Sequence, residues 1–262
     1  MTTILCIDIG TTEMKAAVVS DSGLELLEVK DKTPMESFED LKARYKPERI
    51  FVTGSGERHL SPDANYTKLN ELECTAYIVK HLGLASGLVT NIGTGTSFTL
   101  YSDGGYSHLN GTGVGGGAFV GLGQRMLGLA DPKAIEALAV GGALDAVNIV
   151  IDDIYPQGLE SLAGDVTVAN FGKEGGGDQD VALGIHSLIT EAIVSMVRAL
   201  LVHSPVKDIV VCGGVTNNVL VKKLFAKYSA LFGFKTTYLE EASYGTILGM
   251  LALVEERYSQ EA

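Results

Sequence analysis

Two strand-turn-strand units with glycine and threonine at the turn constrain the fold of this chain most strongly. The first occupies residues 4–19 and turns at residues 10–13, and the second occupies residues 87–101 and turns at residues 93–95. Short apolar and β-branched runs on both sides of a glycine turn are typical of paired strands. Because the unit occurs once in each part of the chain, the sequence predicts two α/β lobes.

Further strands and helices follow each unit. Short apolar runs before glycine turns predict strands at residues 49–53 and 209–212. Helical spacing and helix-start signals predict helices at residues 36–45, 69–82, 118–127, 185–200 and 244–256, with others from residue 132 and from about residue 217. We assign residues 1–85 to an N-terminal lobe and residues 86–262 to a C-terminal lobe.

Composition argues against several classes of function. Lys and Arg number 20 against 32 Asp and Glu, and the net charge of −12 argues against nucleic acid or an anionic membrane as the main partner. The 3 cysteines are far apart in sequence and form no CxxC pair, so neither a disulfide framework nor a zinc site is predicted. Charged residues interrupt the longer apolar stretches, and no basic segment precedes an apolar run at the N-terminus. We therefore expect a cytoplasmic protein without a membrane span.

The two turns have the chemistry of a polyphosphate clamp. A turn of glycine and threonine presents backbone N–H groups and hydroxyls to an anion, and Lys15 beyond the first turn can neutralise phosphate charge. Asp8, at the end of the first strand, can hold Mg²⁺ directly or through water. The chain contains no GxxxxGK[ST] phosphate loop. A glycine-rich loop at residues 111–117 opens a helix, and free N–H groups at such a helix end favour a phosphate or the ribose of a nucleotide.

These motifs resemble the superfamily of two-lobed ATPases that includes actin, the sugar kinases and the heat-shock ATPases. Within that superfamily the chain is most similar to the type II pantothenate kinase family. The similarity runs in order through residues 8–15, 53–54, 71–74, 91–97, 111–122, 164–172 and 244–251, with the glycine motif at 212–214 on the adenosine side. The stretches Asn-Ile-Gly-Thr-Gly-Thr-Ser and Gly-Asp-Val-Thr-Val-Ala-Asn-Phe-Gly are the most specific of these.

The resemblance implies both a fold and an activity. The fold is α/β, with two ribonuclease-H-like lobes around a central ATP cleft, each a mixed sheet flanked by helices. The activity is the ATP-dependent phosphorylation of pantothenate to 4'-phosphopantothenate, the first step of coenzyme A biosynthesis, with Mg²⁺ as cofactor. The family also implies a homodimer whose dimerisation helices lie in the C-terminal lobe, and coenzyme A or acyl-CoA as regulators.

The resemblance also assigns site residues by position. Glu71 is expected to be the general base, Asp8 the magnesium-linked acid and Lys15 the phosphate-neutralising cation. The residues expected to bind ATP are Asp8, Ile9, Gly10, Thr11, Thr12, Glu13, Met14, Lys15, Thr94, Gly95, Gly116, Gly117, Ala118, Phe119, Val120, Gly213 and Gly214. Those expected to bind the substrate are Glu71, Thr94, His108, Gly111 and Tyr238. The local sequence agrees in part with the assignment of Glu71 as the base. Asn70 is a candidate N-cap, which puts Glu71 in the first helical turn and gives Glu73 a structural role as the cap partner, whereas Glu71 has no such role.

One position departs from the family pattern. The family has an arginine, which is a ligand for the substrate carboxylate, where this chain has His108. A histidine cannot reproduce the bidentate fork of an arginine. Arg58 and Lys68 are candidates to supply the missing charge, although a solvated surface position is the simpler interpretation of both. Tyr238 and Tyr244 match family aromatic positions, one of which reaches the substrate across a dimer interface, and packing of the last helix explains them equally well.

Two other functions compete with this interpretation. The reductive activator ATPases of acyl-CoA dehydratases resemble the chain in the first turn and in the adenosine-side motif, but they share an iron-sulfur cluster between subunits through two cysteines each. Cys6 and Cys74 are instead expected in a strand and on an apolar helix face. A non-catalytic relative that binds a nucleotide or acyl-CoA is the third possibility, and the presence of a candidate acid, cation and base argues against it.

Overall fold

The computed structural model describes residues 3–11, 13–30, 32–158, 163–202, 204 and 206–258. In this part of the chain, two larger sheets and a small ribbon are flanked by helices. Both larger sheets are mixed, which confirms the predicted α/β fold with two mixed sheets. The ribbon pairs β9 (Ile149–Val150) with β10 (Thr167–Ala169).

The two larger sheets have the same strand order. The first contains β1 (Ile4–Ile9), β2 (Met14–Ser20), β3 (Gly23–Val29), β4 (Arg49–Thr53) and β5 (Thr67–Lys68), in the order β3-β2-β1-β4-β5. The second contains β6 (Gly87–Ile92), β7 (Thr96–Ser102), β8 (Gly105–Thr112), β11 (Asp208–Cys212) and β12 (Lys235–Tyr238), in the order β12-β11-β6-β7-β8. In each sheet the first strand pairs antiparallel with its hairpin partner and parallel with a later strand. The repeated unit of the sequence therefore forms the centre of each sheet.

The helices form layers on and between the sheets. They are α1 (Pro34–Tyr45), α2 (Glu71–Ala76), α3 (Ile78–His81), α4 (Gly116–Leu127), α5 (Pro132–Ala139), α6 (Ile151–Ile154), α7 (Asp178–Leu201), α8 (Val219–Phe232) and α9 (Gly245–Tyr258). Short 3-10 helices follow β4 at Ser55–His59 and β11 at Gly214–Asn217. One core joins α1 to the outer face of the first sheet, and another joins α4, α7 and α8 to the outer face of the second. A central core contains α2, α3 and α9 together with the inner faces of both sheets.

Alternation along β1 decides what each of its side chains contacts. Leu5 and Ile7 are fully buried in the core that α1 covers. Cys6 is fully buried in the central core instead. Because successive side chains of a strand point to opposite faces, Asp8 faces the same side as Cys6, between the two sheets. The sheet register thus directs this carboxylate towards the interior of the molecule.

Several helices begin at an N-cap side chain that the sequence indicates. Thr33 caps α1 in a capping box with Glu36, and Asp131 caps α5 with its side chain. Asn70 caps α2, as expected from the sequence, and accepts hydrogen bonds from the amides of Leu72 and Glu73. A side-chain cap of this kind satisfies backbone donors that the first helical turn leaves without partners.

Two expectations from the sequence are wrong in detail. The single helix predicted at residues 69–82 is divided at Tyr77, where α2 ends and α3 begins. Gly111, expected in a glycine-rich loop, lies in the edge strand β8, where it pairs with Ser97 of β7. The local sequence around Gly111 did not indicate a strand, because its place in the sheet depends on pairing with β7, which precedes it in the chain.

One helix in the described residues, α7, is long and apolar enough to cross a membrane by length and composition alone. It packs against α4, α5 and α8, and its residues Ile185, Ile189 and Ile193 are buried in the core of the second sheet. This is the arrangement of a helix that forms the centre of a protein core.

Replacing Gly249 by alanine tests the crossing of α9 over α2 and α3. A Cβ atom at this position would lie against the carbonyl oxygen of Cys74 and 2.7 Å from the backbone nitrogen of Ile78. Because backbone atoms cannot rotate away, Gly249→Ala should lower the free energy of unfolding by about 1–3 kcal/mol. Gly105→Ala is the control, since its Cβ would meet only the carbonyl oxygen of Ser102 at 3.8 Å. Equal urea midpoints for the two variants would contradict this close crossing.

Candidate active site

The first turn is held closed by its own backbone. The amide of Gly10 donates to the carbonyl oxygen of Glu13 at 2.9 Å, and Ile9 pairs with Met14 at the end of the hairpin. A Cβ atom on Gly10 would lie only 2.8 Å from the same carbonyl oxygen, so the turn requires glycine. Thr12, one of the expected ATP ligands, lies outside the described residues.

Asp8 has a buried oxygen without a partner. Its Oδ1 atom is buried and accepts no hydrogen bond from the residues that the structure describes. Burial and the nearby carboxylate of Glu71 raise the pKa of Asp8 to about 7, and the charge of Lys15 acts in the opposite direction. A desolvated carboxylate with a free oxygen is the kind of group that a divalent cation satisfies. No group of three or more His, Cys, Asp or Glu side chains in the described residues could hold a metal by itself. Asp8 thus fits Mg²⁺ bound through one carboxylate, with phosphates or water supplying the other ligands.

A glycine loop after β4 packs directly beneath Asp8. Gly54 has a φ of 93°, a conformation that favours glycine. A Cβ atom on Gly54 would lie against the carbonyl oxygen of Ile9 and 2.6 Å from Oδ1 of Asp8. The hydroxyls of Thr11 and Ser55 are 3.2 Å apart, which joins the turn to the loop. Strand end, turn and loop therefore form one packed unit.

Glu71 is the first residue of α2 and lies close enough to Asp8 to influence its pKa. Burial raises the pKa of Glu71 itself. The segment before the helix is fixed by the hydroxyl of Thr53, which donates to the carbonyl oxygen of Leu69 at 2.9 Å. The structure thus brings together the two carboxylates that the sequence predicted for metal binding and base catalysis.

Glu73 does not have its expected role as the cap partner in α2. Its carboxylate forms an ion pair with Arg257 near the end of α9. Its backbone amide still donates to the N-cap Asn70 at 3.1 Å. The side chain of Glu73 pairs with a helix that is distant in sequence, so a local capping pattern could not predict its partner.

Lys15 faces the same region from β2. It stands opposite Asp8 in the sheet register, and its Nζ atom lies 2.6 Å from a carboxylate oxygen of Glu13. The Lys15 side chain is 13% exposed and that of Glu13 is 46% exposed. The lysine is therefore largely enclosed, whereas its partner can turn towards solvent when an anionic ligand competes for the ammonium group.

The second turn packs against the start of α4. The amide of Gly116 donates to the carbonyl oxygen of Gly93, and that of Gly117 to the carbonyl oxygen of Thr94, both at 2.8 Å. These two N–H groups are therefore occupied, contrary to the expected free donors at this helix end. A Cβ atom on Gly95 would lie 2.8 Å from the carbonyl oxygen of Thr112, so the turn needs glycine here as well.

The remaining expected nucleotide ligands of α4 differ in exposure. Phe119 is buried, and its ring packs edge-on against the ring of His186 with centroids 4.9 Å apart. Its side chain therefore belongs to the core of the second sheet. Val120 is exposed, and Ala118 packs against the edge of this core.

Gly213 repeats the geometry of Gly54 in the second sheet. Its φ is 97°, and a Cβ atom there would lie against the carbonyl oxygen of Ile92 and 2.6 Å from Oδ1 of Asn91. Gly214 has open space around the position of a Cβ atom. The loop after β11 thus meets the second turn as the loop after β4 meets the first, with Asn91 at the position of Asp8.

Apart from Glu71, the residues expected to bind substrate lie on the second sheet or in its first turn. His108 is exposed on β8 opposite Thr99, and its Nε2 atom lies 3.7 Å from where a Cβ atom on Gly111 would be. Tyr238 lies in the outer core of this sheet, edge-on to Phe225 with ring centroids 6.2 Å apart. Burial raises the pKa of Tyr238 to about 12, and its hydroxyl has no partner. Tyr238 packs against the core on the outer face of the second sheet, whereas Asp8 belongs to β1 of the first sheet and Glu71 to α2.

A cavity of about 370 Å³ adjoins the first turn on the side of α1. It is lined by Gly10, Thr11, Ser55, Gly56, Arg58 and His59, with residues 33–35 at the start of α1. Lys68, the other candidate for the missing charge, pairs with Glu57 at 2.7 Å. Arg58 donates to Nε2 of His59 at 3.3 Å. Of the two basic candidates, Arg58 is therefore the one that faces a cavity.

Asp8→Asn should stabilise the protein in the absence of ligands near neutral pH. Because the pKa of Asp8 is raised from 3.8 to about 7, the stability of the folded chain falls as pH rises between those values. At about 1.4 kcal/mol for each pKa unit, the gain from the neutral amide is up to about 4 kcal/mol near pH 8 and disappears below about pH 4. Thermal unfolding in a chelator across this pH range measures the effect. Asn91→Asp, the reverse change in the other lobe, should destabilise near pH 8, and pH-independent differences in both variants would contradict the burial of Asp8.

Comparisons of the sequence with known proteins find related kinases. A family model described as Fumble matches residues 87–215. A type II pantothenate kinase of Staphylococcus epidermidis is 31% identical over 176 residues, which cover 63% of this chain and 65% of that protein. In this match the chain spans less than two thirds of its relative. A type II pantothenate kinase of Bacillus cereus is 23% identical over 270 residues, covering 97% of this chain and 98% of the relative.

Solved structures share the fold over nearly the whole chain. Component A of the (R)-2-hydroxyglutaryl-CoA dehydratase of Acidaminococcus fermentans is 17% identical with a TM-score of 0.66, covering 97% of each chain. A ROK family glucokinase of Streptomyces griseus, in complex with glucose and AMPPNP, is 13% identical with a TM-score of 0.60, covering 97% of this chain and 99% of that one. The chain is therefore similar in sequence to proteins named type II pantothenate kinase, and it shares the two-lobed α/β fold of a ROK family glucokinase.

Proposed function

We propose that this chain is a pantothenate kinase, which uses ATP to phosphorylate the primary hydroxyl of pantothenate and so begins coenzyme A biosynthesis. The observation that carries the proposal is the pair of desolvated carboxylates, Asp8 and Glu71, beside the first glycine turn. Relatives named type II pantothenate kinase support the choice of substrate. The bound AMPPNP of a glucokinase with the same fold supports ATP as the phosphate donor.

The two carboxylates are suited to different tasks. Asp8 would hold Mg²⁺, and the ion would supply positive charge to the phosphates of ATP. Glu71 would accept the proton of the attacking hydroxyl, because its raised pKa makes it a better base than an exposed glutamate. Its position in the first turn of a short helix fixes the carboxylate relative to Asp8.

Two anionic substrates must bind to a chain whose net charge is −12. We infer that Lys15, the backbone amides of the two turns and Mg²⁺ bound at Asp8 together supply a local positive electrostatic potential. When the phosphates of ATP arrive, the ammonium group of Lys15 would exchange Glu13 for phosphate oxygens, since an enclosed cation interacts more strongly with a multiply charged ligand. In phosphoryl transfer such charge neutralisation contributes more than proton removal does.

Binding of the pantothenate carboxylate is assigned to His108. It is exposed on an edge strand next to Gly111, so a carboxylate has access to its ring. An imidazole cannot form the bidentate pair that a guanidinium forms, so His108 should bind the carboxylate more weakly than the arginine found at this position in the family.

The reductive activators have the same fold and are the second candidate. Their iron-sulfur cluster needs cysteines at a subunit interface. Cys6, Cys74 and Cys212 are all fully buried here, in the central core of a single chain. Burial raises the pKa of Cys6 and Cys212 to about 12, so neither thiol is prepared to become a thiolate ligand. This observation favours the kinase over the activator. A non-catalytic nucleotide sensor is disfavoured because the acid, the base and the cation are all retained.

Several further features of the family are part of the proposal. We expect a homodimer formed through the C-terminal lobe, a cytoplasmic location, and inhibition or activation by coenzyme A or acyl-CoA. We also propose the division into an N-terminal lobe, residues 1–85, and a C-terminal lobe, residues 86–262, although α9 from the second segment packs on α2 and α3 of the first. Cross-linking and light scattering of the purified chain test the dimer.

Glu71→Gln tests the base. General base catalysis contributes about 10²–10⁴-fold, so kcat with pantothenate should fall by that factor while KM for ATP stays nearly constant. Glu73→Gln is the matched control, since the amide oxygen of glutamine can still accept a hydrogen bond from Arg257 and keep α2 on α9, so turnover should change little. Coupled assays of ADP release with pantothenate and with glucose test both the base assignment and the identity of the substrate. Unchanged turnover in Glu71→Gln would remove the base assignment, and turnover of glucose without pantothenate would remove the substrate.

His108→Arg tests the substrate carboxylate. Restoring a bidentate donor should lower KM for pantothenate several-fold, because charged bidentate hydrogen bonds are about twice as strong as neutral ones. The alcohol analogue of pantothenate, which lacks the carboxylate, should show no such gain. If KM falls equally for pantothenate and for the alcohol analogue, His108 does not bind the substrate carboxylate. In that case Arg58→Gln tests whether the carboxylate binds in the cavity beside the first turn.

A further inference from the structure

A fully buried histidine lies between the elements that would hold the nucleotide. His186 of α7 is 0% exposed. Its Nδ1 atom is 2.7 Å from the carbonyl oxygen of Ala182, and its Nε2 atom is 3.0 Å from the side-chain nitrogen of Asn218. The ring of Phe119, from the start of α4, packs edge-on against it. The imidazole thus contacts α4, α7 and the loop before α8 at once.

The two hydrogen bonds fix the protonation state of the ring. The carbonyl oxygen of Ala182 can only accept, so Nδ1 carries the hydrogen. The amide nitrogen of Asn218 can only donate, so Nε2 must be a bare acceptor. His186 is therefore neutral, and burial lowers its pKa in agreement with that assignment.

Asn218 has no freedom to turn round. Its side-chain Oδ1 atom caps α8 by accepting from the backbone amide of Val221 at 2.9 Å. Its backbone amide donates to the carbonyl oxygen of Val215 at 3.1 Å. If the side-chain amide rotated to offer its oxygen to a protonated His186, the cap of α8 would lose its acceptor. A charged imidazole therefore breaks one of the two side-chain bonds of Asn218.

The loop that Asn218 ends is the adenosine-side glycine loop. Thr216 closes it internally by donating its hydroxyl to the carbonyl oxygen of Gly213 at 2.5 Å. Val215 packs against the start of α4, where a Cβ atom on Gly116 would lie 3.3 Å from it. His186 therefore contacts one residue at each of these two places, which are Asn218 at the end of the loop and Phe119 at the start of α4.

The charged group that acts on His186 from the neighbouring elements is Glu136 of α5. Its carboxylate also accepts from the amide of Val219 at 2.6 Å, at the first residue of α8. The field of Glu136 favours a protonated ring, but burial outweighs it. The ring contact from α4 is made by Phe119 and the hydrogen bond from the loop by Asn218, and both residues are uncharged.

We propose that His186 is a positioning residue for nucleotide binding, which acts as a neutral hydrogen-bond acceptor to hold Asn218 and so keeps residues 213–217 packed against α4 in the geometry that an adenosine nucleotide requires. The proposal rests on the nucleotide-binding part of the proposed function. Its ligand class is an adenosine nucleotide, and His186 does not touch it. Protonation of the ring releases the loop, so nucleotide affinity decreases with falling pH, in a range that lies below the ordinary histidine pKa of about 6.5 because burial lowers the pKa of His186.

Three variants and a matched control separate this role from simple packing. His186→Leu removes the acceptor, and His186→Gln supplies an oxygen acceptor that does not titrate. Asn218→Asp keeps the cap of α8 but replaces the donor by a carboxylate. Thr190→Val is the control, because Thr190 lies one turn further along α7, is equally buried, and has a hydroxyl without a partner.

The dissociation constant of ADP, measured by calorimetry on the full chain between about pH 5.5 and pH 8, is the first readout. His186→Leu should weaken ADP binding about 10-fold at the upper end of this range, with Thr190→Val unchanged. His186→Gln should recover most of the affinity and lose the decline at low pH. Asn218→Asp should bind more weakly at high pH and recover as pH falls, because a protonated His186 can then donate to the carboxylate.

Hydrogen exchange of the amides at residues 213–218 is the second readout and does not require a ligand. His186→Leu and Asn218→Asp should accelerate it at neutral pH, and Thr190→Val should not. Equal ADP affinity in the wild type and His186→Gln at every pH, or equal losses in His186→Leu and Thr190→Val, would overturn the proposal. A wild-type chain that binds no ADP would overturn the proposed function, whereas unchanged exchange in His186→Leu would overturn the role of His186 in holding the loop.

Discussion

The close approach of a glycine loop to the end of a strand is the constraint on which both lobes of this molecule depend. Gly54 and Gly213 have φ of 93° and 97° and ψ of 158° and 159°, which is nearly the same conformation. In both cases an Oδ1 atom, of Asp8 or Asn91, lies 2.6 Å from where a Cβ atom would be. A larger residue would separate the loop from the strand end and from the turn beyond it. The sequence repeats this arrangement because the backbone can approach so closely only where a side chain is missing.

The two copies have the same backbone and different charge. Asp8 and Asn91 are similar in shape, and each ends the central strand of its sheet. Only the first is ionisable, and it is the one beside Glu71 and opposite Lys15. The duplicated scaffold therefore provides two glycine turns to which the proposed function assigns phosphate binding, whereas metal binding and proton transfer are expected in the N-terminal copy alone. In the C-terminal copy the amides of the helix start are used to pack α4 onto the turn.

The sequence could predict what depends on neighbouring residues. Both strand-turn-strand units, the N-cap Asn70 and the position of Glu71 in a first turn follow from patterns only a few residues long. The ion pair of Glu73 with Arg257, and the occupied amides at the start of α4, depend on contacts between distant segments. His186 also gave no local signal, since it lies in an apolar stripe where a core residue is expected. Its partners come from another helix and from a loop, and only the tertiary fold brings them together.

The position of the candidate base depends on the last helix of the chain. α2 contains 6 residues, and a helix of that length is not stable in water without tertiary contacts. It is held by α9, through the ion pair of Glu73 with Arg257 and through the hydroxyls of Thr75 and Thr246, which are 3.1 Å apart. The crossing is close because Gly249 has no side chain. Since Glu71 is placed by α2, and α2 by α9, the geometry of the two carboxylates depends on the packing of both ends of the chain in one central core.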